Sequence, residues 1–404
     1  MPIYSAFFIC FWNNIFKREV NIMKKICALI LILVLAVSLI IPISAQDNVK
    51  PQSQIELNAK SAVLMDVNTG TVIYEMNKDE KRSPASVTKI MTLLLVFEAL
   101  EEGRIKYEDM VSVSENASSM GGSQIFLEPG ETMSVNDLIK SVVIASANDA
   151  AVALAEYVEG SEEAFVYSMN KRARELGMNN TYFENATGLD DDTTTHLTTA
   201  YDIAIMSKEL LSHEKIMEYT TIWMDTVRNG EFGLSNTNKL IRFYSGATGL
   251  KTGSTSKAGF CISASAKRDD LHLVAVIMGS DSSTERNNSA KKLLDYGFAN
   301  YEICKIDGAE IDSVKIENST VDKIKVKYEN FEALVPKGTK NKVHYEIDID
   351  EEIAAPLKKG STVGRIKYIL NGEVIGENDI ISLDDAEKIY FLWYLLDVLK
   401  NLYK

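Results

Sequence analysis

The sequence predicts an α/β domain with an antiparallel sheet between helices, then a small all-β domain, then a C-terminal amphipathic helix. Three observations carry this. Strand patterns occur at both ends of the first 300 residues and are joined by short turns, while the middle is helical, which suits antiparallel rather than parallel pairing. From Tyr301 the texture changes to short alternating stretches split by Gly, Asn and Lys. From Asp384 a 3.6-residue period returns.

The elements follow in order. Met23-Lys24-Lys25, an apolar run from Ile26 to Ile41 and then Pro42-Ile43-Ser44-Ala45 have the layout of a secretory signal peptide over residues 23–45. Translation is expected to start at Met23, with 1–22 an extension ahead of it. A retained membrane anchor is the competing reading, and the run is short for one. Residues 46–300 then form the first domain. Ser61 to Val67, Asn68-Thr69-Gly70 and Thr71 to Glu75 read as a β-hairpin. Ser83-Pro84 opens a helix whose run Leu93 to Leu100 is almost wholly apolar and therefore buried. Ser134 to Tyr157 is helical, interrupted at Ser146-Ala147-Asn148-Asp149; Ser161 to Leu176 and Thr198 to Leu211 are further helices. Strands are expected around Lys251, at Gly259–Lys267 and at Leu271–Gly279, with a closing helix at Ser289–Tyr296.

Residues 301–383 form the β domain, with strands at Ile311–Ile316, Ile324–Tyr328, Val343–Ile349, Thr362–Leu370 and Glu373–Ile381. In 384–404, Glu387, Tyr390, Tyr394, Asp397, Asn401 and Lys404 share one helical face. Ile389, Leu392, Trp393, Leu395, Leu396, Leu399 and Leu402 share the other. Such a helix suits the plane of a membrane surface, the alternative being docking on the protein's own core.

Charge and cysteine usage narrow the function classes. The whole chain carries a net charge of −14, and the leader holds more base than acid, so the exported part is more acidic still. That argues against nucleic acid as a partner. Cys10 and Cys27 leave with the leader, and Cys261 and Cys304 read as two separate thiols rather than a disulfide framework. The histidines are His196, His213, His272 and His344. None sits in a triad motif and none has zinc-ligand spacing, so no metal and no cofactor is expected.

The chemistry points elsewhere. Ser86 and Lys89 are three residues apart and share a helical face. A helix start offers unpaired N–H groups and the positive end of the dipole, so a hydroxyl beside an amine there is an activated nucleophile in outline. Alone, Ser-x-x-Lys is common. Here it is followed in order by Ser146-Ala147-Asn148 and Lys251-Thr252-Gly253, and the three together form the set of class A β-lactamases and penicillin-binding proteins.

On these motifs the chain resembles the low-molecular-mass penicillin-binding proteins, serine-type D-alanyl-D-alanine carboxypeptidases. The resemblance runs from about Ile55 to the C-terminus. It includes Gly121-Gly122-Ser123-Gln124-Ile125-Phe126-Leu127, Gly188-Leu189-Asp190, Thr199-Ala200-Tyr201-Asp202, Asn236-Thr237-Asn238-Lys239-Leu240 and Leu293-Leu294-Asp295-Tyr296-Gly297-Phe298. Ala355 to Gly364 resembles the family's C-terminal β domain.

The resemblance implies a penicillin-binding/β-lactamase-like catalytic fold and the sheet order. It also implies an acyl-enzyme on Ser86, with peptidoglycan stem peptide as substrate, β-lactams as inhibitors, and a place outside the cytoplasmic membrane at the cell wall. Lys89 would be the neutral base, its pKa lowered by burial and by Lys251. Ser146 would relay a proton to the leaving D-alanine, and Asn148 would hold Lys89 and the substrate amide. Gly253 would let its strand approach the substrate, and the N–H groups of Ser86 and Ser254 would receive the oxyanion. Thr252 and Arg286 would take the terminal carboxylate. A class A-like β-lactamase needs a further Glu to activate water, and Glu184 lacks the Glu-x-x-Leu-Asn spacing. A catalytically dead wall-binding module is the other rival, against which stand intact Ser86, Lys89 and Lys251.

Overall fold

A computed structural model describes residues 55–190, 193–390 and 399. The leader (23–45) and the extension before it lie outside the described residues, as do residues 391–398 and 400–404 of the expected C-terminal helix; Leu399 is helical and exposed.

In chain order the elements are β1 (Ser61–Asp66), β2 (Val72–Met76), a 3-10 turn (Ala85–Thr88), α1 (Lys89–Glu101), β3 (Met110–Ser112), α2 (Glu115–Ser118), β4 (Thr132–Ser134) and α3 (Val135–Lys140). A π-helical stretch (Ser141–Ala145) follows, then α4 (Asn148–Glu159), α5 (Glu162–Glu175), α6 (Ala200–Ser212), α7 (Ile216–Thr220), β5 (Met224–Val227), β6 (Phe232–Ser235) and α8 (Leu240–Phe243). Strands β7 (Ala247–Thr255), β8 (Gly259–Arg268) and β9 (Leu271–Ser280) and helix α9 (Ser283–Asn300) close the first domain. The second domain holds β10 (Tyr301–Ile306), β11 (Ala309–Lys315), β12 (Lys323–Tyr328), β13 (Phe331–Pro336), β14 (His344–Ile349), β15 (Thr362–Leu370) and β16 (Glu373–Ser382).

The first sheet runs β2-β1-β9-β8-β7, antiparallel throughout. Its strands alternate in period two, so each face buries its own core. Val63, Met65, Val274, Val276 and Met278 face the helical layer, whereas Ala62, Leu64, Leu273, Ala275 and Ile277 pack under Leu293, Leu294 and Phe298 of α9. Buried on both faces, β9 is apolar along almost its whole length. Helix α1 is apolar all round and runs through the middle of the helical layer, with Ile90, Met91, Leu94 and Val96 fully buried.

Three details depart from expectation. Ser86 lies not on α1 but on the 3-10 turn before it, with Ala85 at φ 50°. Helix α9 starts at Ser283 rather than Ser289, because Ser282 accepts a hydrogen bond from the Glu285 N–H, a Ser-x-x-Glu cap that apolar periodicity does not register. Residues 384–390 are extended rather than helical: Ala386 pairs with Leu357 and Lys388 with Ser319. Backbone pairing with the β domain there outweighs the local helical period.

The second domain's main sheet runs β11-β12-β16-β15-β14. One face supplies Val326, Ile366, Tyr368 and Ile380 to a core. The other face is charged, and apart from Lys315 beside Lys323 at one end its sign alternates strand by strand. Glu310 and Asp312 on β11 neighbour Lys325 and Lys327 on β12; Glu377 and Asp379 on β16 neighbour Arg365 and Lys367 on β15; Glu346 and Asp348 lie on β14. Lys325–Asp312 (3.3 Å) and Arg365–Glu377 (3.2 Å) are among the resulting pairs. The domain is joined to the first through β10 and through Lys305, which reaches Asp270 at 3.0 Å.

Candidate active site

The 3-10 turn, the break before α4 and the edge strand β7 converge. Ser86 sits one turn ahead of Lys89, whose Nζ lies 3.1 Å from Ser86 Oγ and donates to the Thr187 carbonyl at 2.7 Å. Lys89 is fully buried. Burial first, and Lys251 second, push its pKa well below the ordinary lysine value, against a smaller opposing pull from Asp149. A neutral amine has two N–H donors and one lone pair, so Thr187 can take one hydrogen while the lone pair faces the Ser86 hydroxyl.

Ser146 follows the π-helical stretch at φ 64°, ψ 27°, so the chain turns sharply between α3 and α4. That kink lets Asn148 begin α4. Its side chain does not hold Lys89, as the sequence reading expected: Nδ2 donates to the Gly121 carbonyl at 2.6 Å. Asn148 Oδ1 is buried without a partner among the described residues, an acceptor left for something else. The next residue, Asp149, is fully buried and receives the Ile125 and Leu127 N–H groups at 3.1 and 3.0 Å.

On β7, Lys251 is buried and donates only to the Thr252 carbonyl at 3.0 Å. Burial, with the charge of Arg286, pulls its pKa down to about 7. Arg286 reaches this region from α9, itself buried, with Nε on Asn287 Oδ1 at 3.1 Å and a pKa lowered by burial to about 10. Neither cation makes an ion pair with a carboxylate among the described residues. Thr252 Oγ1 donates to Thr237 Oγ1 at 2.8 Å, and Ser254 is exposed beyond it. Gly253 answers to the turn more than to open space: a Cβ there would stand 2.7 Å from Ser86 N and 2.9 Å from Val87 N.

Several residues that lacked a role in the sequence reading shape the site. Gly188, at φ 82°, lies so close that a Cβ would sit 1.8 Å from the Ala85 carbonyl oxygen. Asp190 Oδ2 accepts from Ser83 Oγ (2.8 Å) and Thr255 Oγ1 (2.6 Å), tying the turn to the end of β7. His196 Nδ1 accepts the Glu184 N–H, so the proton belongs on Nε2, which donates to Thr88 Oγ1 at 2.8 Å. Burial lowers the His196 pKa to about 4 and keeps it neutral. The only hint of these was Gly188-Leu189-Asp190, quoted as a pattern without a role. His196 had no local signal, since its partners are distant in sequence.

Comparison with known proteins agrees with this arrangement. Residues 47–282 match the D-alanyl-D-alanine carboxypeptidase family of peptidases, S11, and residues 304–388 match the penicillin-binding protein 5 C-terminal domain. The chain is 42% identical to D-alanyl-D-alanine carboxypeptidase DacF of Bacillus subtilis, covering 92% of this chain and 97% of that one. It is 36% identical to DacC of Escherichia coli, covering 82% and 85%. The structure of penicillin-binding protein 5 from Haemophilus influenzae superposes with a TM-score of 0.75 at 32% identity, over 83% of this chain and 99% of that one. The chain belongs to the D-alanyl-D-alanine carboxypeptidase family, the low-molecular-mass penicillin-binding proteins.

Proposed function

We propose that the protein removes the terminal D-alanine from peptidoglycan pentapeptides through an acyl-enzyme on Ser86. One observation carries the reading: a buried amine with a lowered pKa stands 3.1 Å from a serine hydroxyl, beside the basic side chains of Lys251 and Arg286, which pair with no carboxylate among the described residues. These basic groups suit the substrate's terminal carboxylate, with Thr252 beside them. Asn148 Oδ1, the unpartnered acceptor, suits a substrate amide N–H.

Ser86 Oγ attacks the penultimate D-Ala carbonyl carbon while its proton passes to Lys89 Nζ. The carbonyl oxygen becomes an oxyanion received by the N–H groups of Ser86 and Ser254. Collapse breaks the C–N bond, and the departing amine takes a proton relayed through Ser146. Water then hydrolyses the ester. A β-lactam enters the same first step, but its leaving amine stays tethered, which blocks water. Glu184 gives no support to a class A-like lactamase: it is spent on the Thr195 N–H and hydroxyl at the surface. The reading carries export by the 23–45 leader, action at the outer face of the cytoplasmic membrane, and surface attachment by the C-terminal segment.

The test is D-alanine release from diacetyl-L-Lys-D-Ala-D-Ala together with fluorescent penicillin labelling. Ser86→Ala should lose both, and release by that variant would overturn the mechanism. A short-lived label on wild type would favour the lactamase, and no label the inactive module.

A further inference from the structure

Phe126 combines three properties that rarely coincide. It is a large aromatic, its φ is 57°, and its side chain is 69% exposed. A bulky residue in the left-handed region is strained, and an exposed phenyl ring gains little from burial. The fold nevertheless holds it there from both sides. The buried Asp149 carboxylate takes the N–H groups on either side of it, from Ile125 and Leu127. Arg228 grips the Ile125 carbonyl at 2.7 Å and the Phe126 carbonyl at 3.0 Å, and is fixed in turn by Glu131 at 2.7 Å. The ring leans on half-buried Phe232 of β6, with centroids 6.4 Å apart, a contact too slight to account for the arrangement.

The two supporting segments both lead back to the site. The Phe126 loop begins at Gly121 and Ser123, whose carbonyls accept the Asn148 side-chain and backbone N–H groups. Strand β6 leads to Thr237, which meets Thr252. The Phe126 loop therefore continues the wall from its Asn148 side. Its exposed surface is the Phe126 ring; Arg228 lies behind it against the Phe232 ring, with its charge answered by Glu131 and four of its N–H groups bonded to Glu131 and the two carbonyls.

We infer that Phe126, backed by Phe232, is a subsite for the long aliphatic side chain of the diamino acid that precedes the two D-alanines. This rests on the carboxypeptidase reading above. An extended peptide advances about 3.3 Å per residue; with the terminal carboxylate at Thr252 and the attacked carbonyl at Ser86, the residue before the D-alanine pair leaves past Asn148, away from Thr252 and beside the loop that carries Phe126. A methylene chain can lie on an aromatic face without asking for a hydrogen bond, whereas a sugar ring would leave its hydroxyls unpartnered there.

The experiment compares kcat/KM for diacetyl-L-Lys-D-Ala-D-Ala and acetyl-L-Ala-D-Ala-D-Ala in the full chain. Wild type should prefer the lysyl peptide. Phe126→Gly removes the ring while accepting the positive φ freely; it should lower the lysyl-to-alanyl ratio about tenfold with no loss of thermal stability. Phe126→Tyr should keep the ratio. An unchanged ratio in Phe126→Gly, a wild type indifferent to the two peptides, a Tyr variant as poor as Gly, or a fall in melting temperature with Phe126→Gly each overturns the subsite. Failure of wild type to release D-alanine from either peptide would instead overturn the carboxypeptidase reading beneath it.

Discussion

Gly253→Ala tests how the two walls of the site are spaced. The added Cβ would stand 2.7 Å from Ser86 N, 2.9 Å from Val87 N and 3.0 Å from the Pro84 oxygen. All three are backbone atoms, so no side chain can rotate away. Restoring an ordinary contact of 3.4 Å requires β7 and the turn to separate by roughly 0.7 Å. The turn carries Ser86 N and the strand carries Ser254 N, the two donors proposed for the oxyanion. If one donor distance lengthens from about 2.9 to about 3.6 Å, that hydrogen bond is lost. Losing one such donor costs about 10²–10³ in rate. Gly253 does not need a positive φ, so alanine is conformationally acceptable and lowers the entropy of the unfolded chain. The melting temperature should therefore move by only a few degrees. The assay is the second-order rate constant for acylation by a penicillin. A Gly253→Ala protein that acylates within threefold of wild type would refute the spacing argument.

Other perturbations give separable readouts. Acylation should rise with pH through the depressed Lys89 pKa, since the neutral amine is the base, and Lys89→Arg should be nearly inactive. Burial outranks Lys251 as the cause, so Lys251→Ala should move the rising limb to higher pH yet leave it below an ordinary lysine; a limb that stays put would deny Lys251 any part. Gly188→Ala should destabilise by several kcal/mol, because its Cβ would overlap the Ala85 carbonyl at a φ of 82°; a melting temperature within about 2 °C of wild type contradicts this. His196 and His272 are both held near pKa 4 by burial, so the unfolded chain binds their protons more readily. Stability should be full above about pH 6.5 and fall toward pH 4, by up to roughly 3 kcal/mol for each histidine. Urea unfolding across that range should show the slope, and His196→Gln should flatten it.

How much was legible follows from what each feature depends on. The hairpin β1–β2, the buried α1 and the pair β8–β9 rest on local periodicity, and the sequence displays that directly. Ser86, Lys89, Asn148 and Lys251 could be singled out because such chemistry travels with short motifs, and the fold brings them to one place. Strands β10 and β13 were missed because half of their residues pack at a domain junction rather than on one alternating face. The roles of Thr187, Asp190 and His196 were invisible for a different reason. Each acts through a partner about a hundred residues earlier, or, for Asp190 and Thr255, 65 residues later, and its residue type is ordinary. Asn148 shows the limit of a motif: it places the side chain correctly and still misjudges which neighbour the amide holds.

The striped outer face of the second domain's sheet has a consequence for how molecules meet. Both rim strands, β11 and β14, bear acids, and most bases sit on inner strands, Lys315 at the end of β11 being a rim lysine. Two copies approaching rim to rim bring carboxylates against carboxylates, although unpaired backbone edges invite that union. The sheet is thus largely neutralised within itself and repulsive along the acidic stretches of its borders, which disfavours lengthening by its own kind.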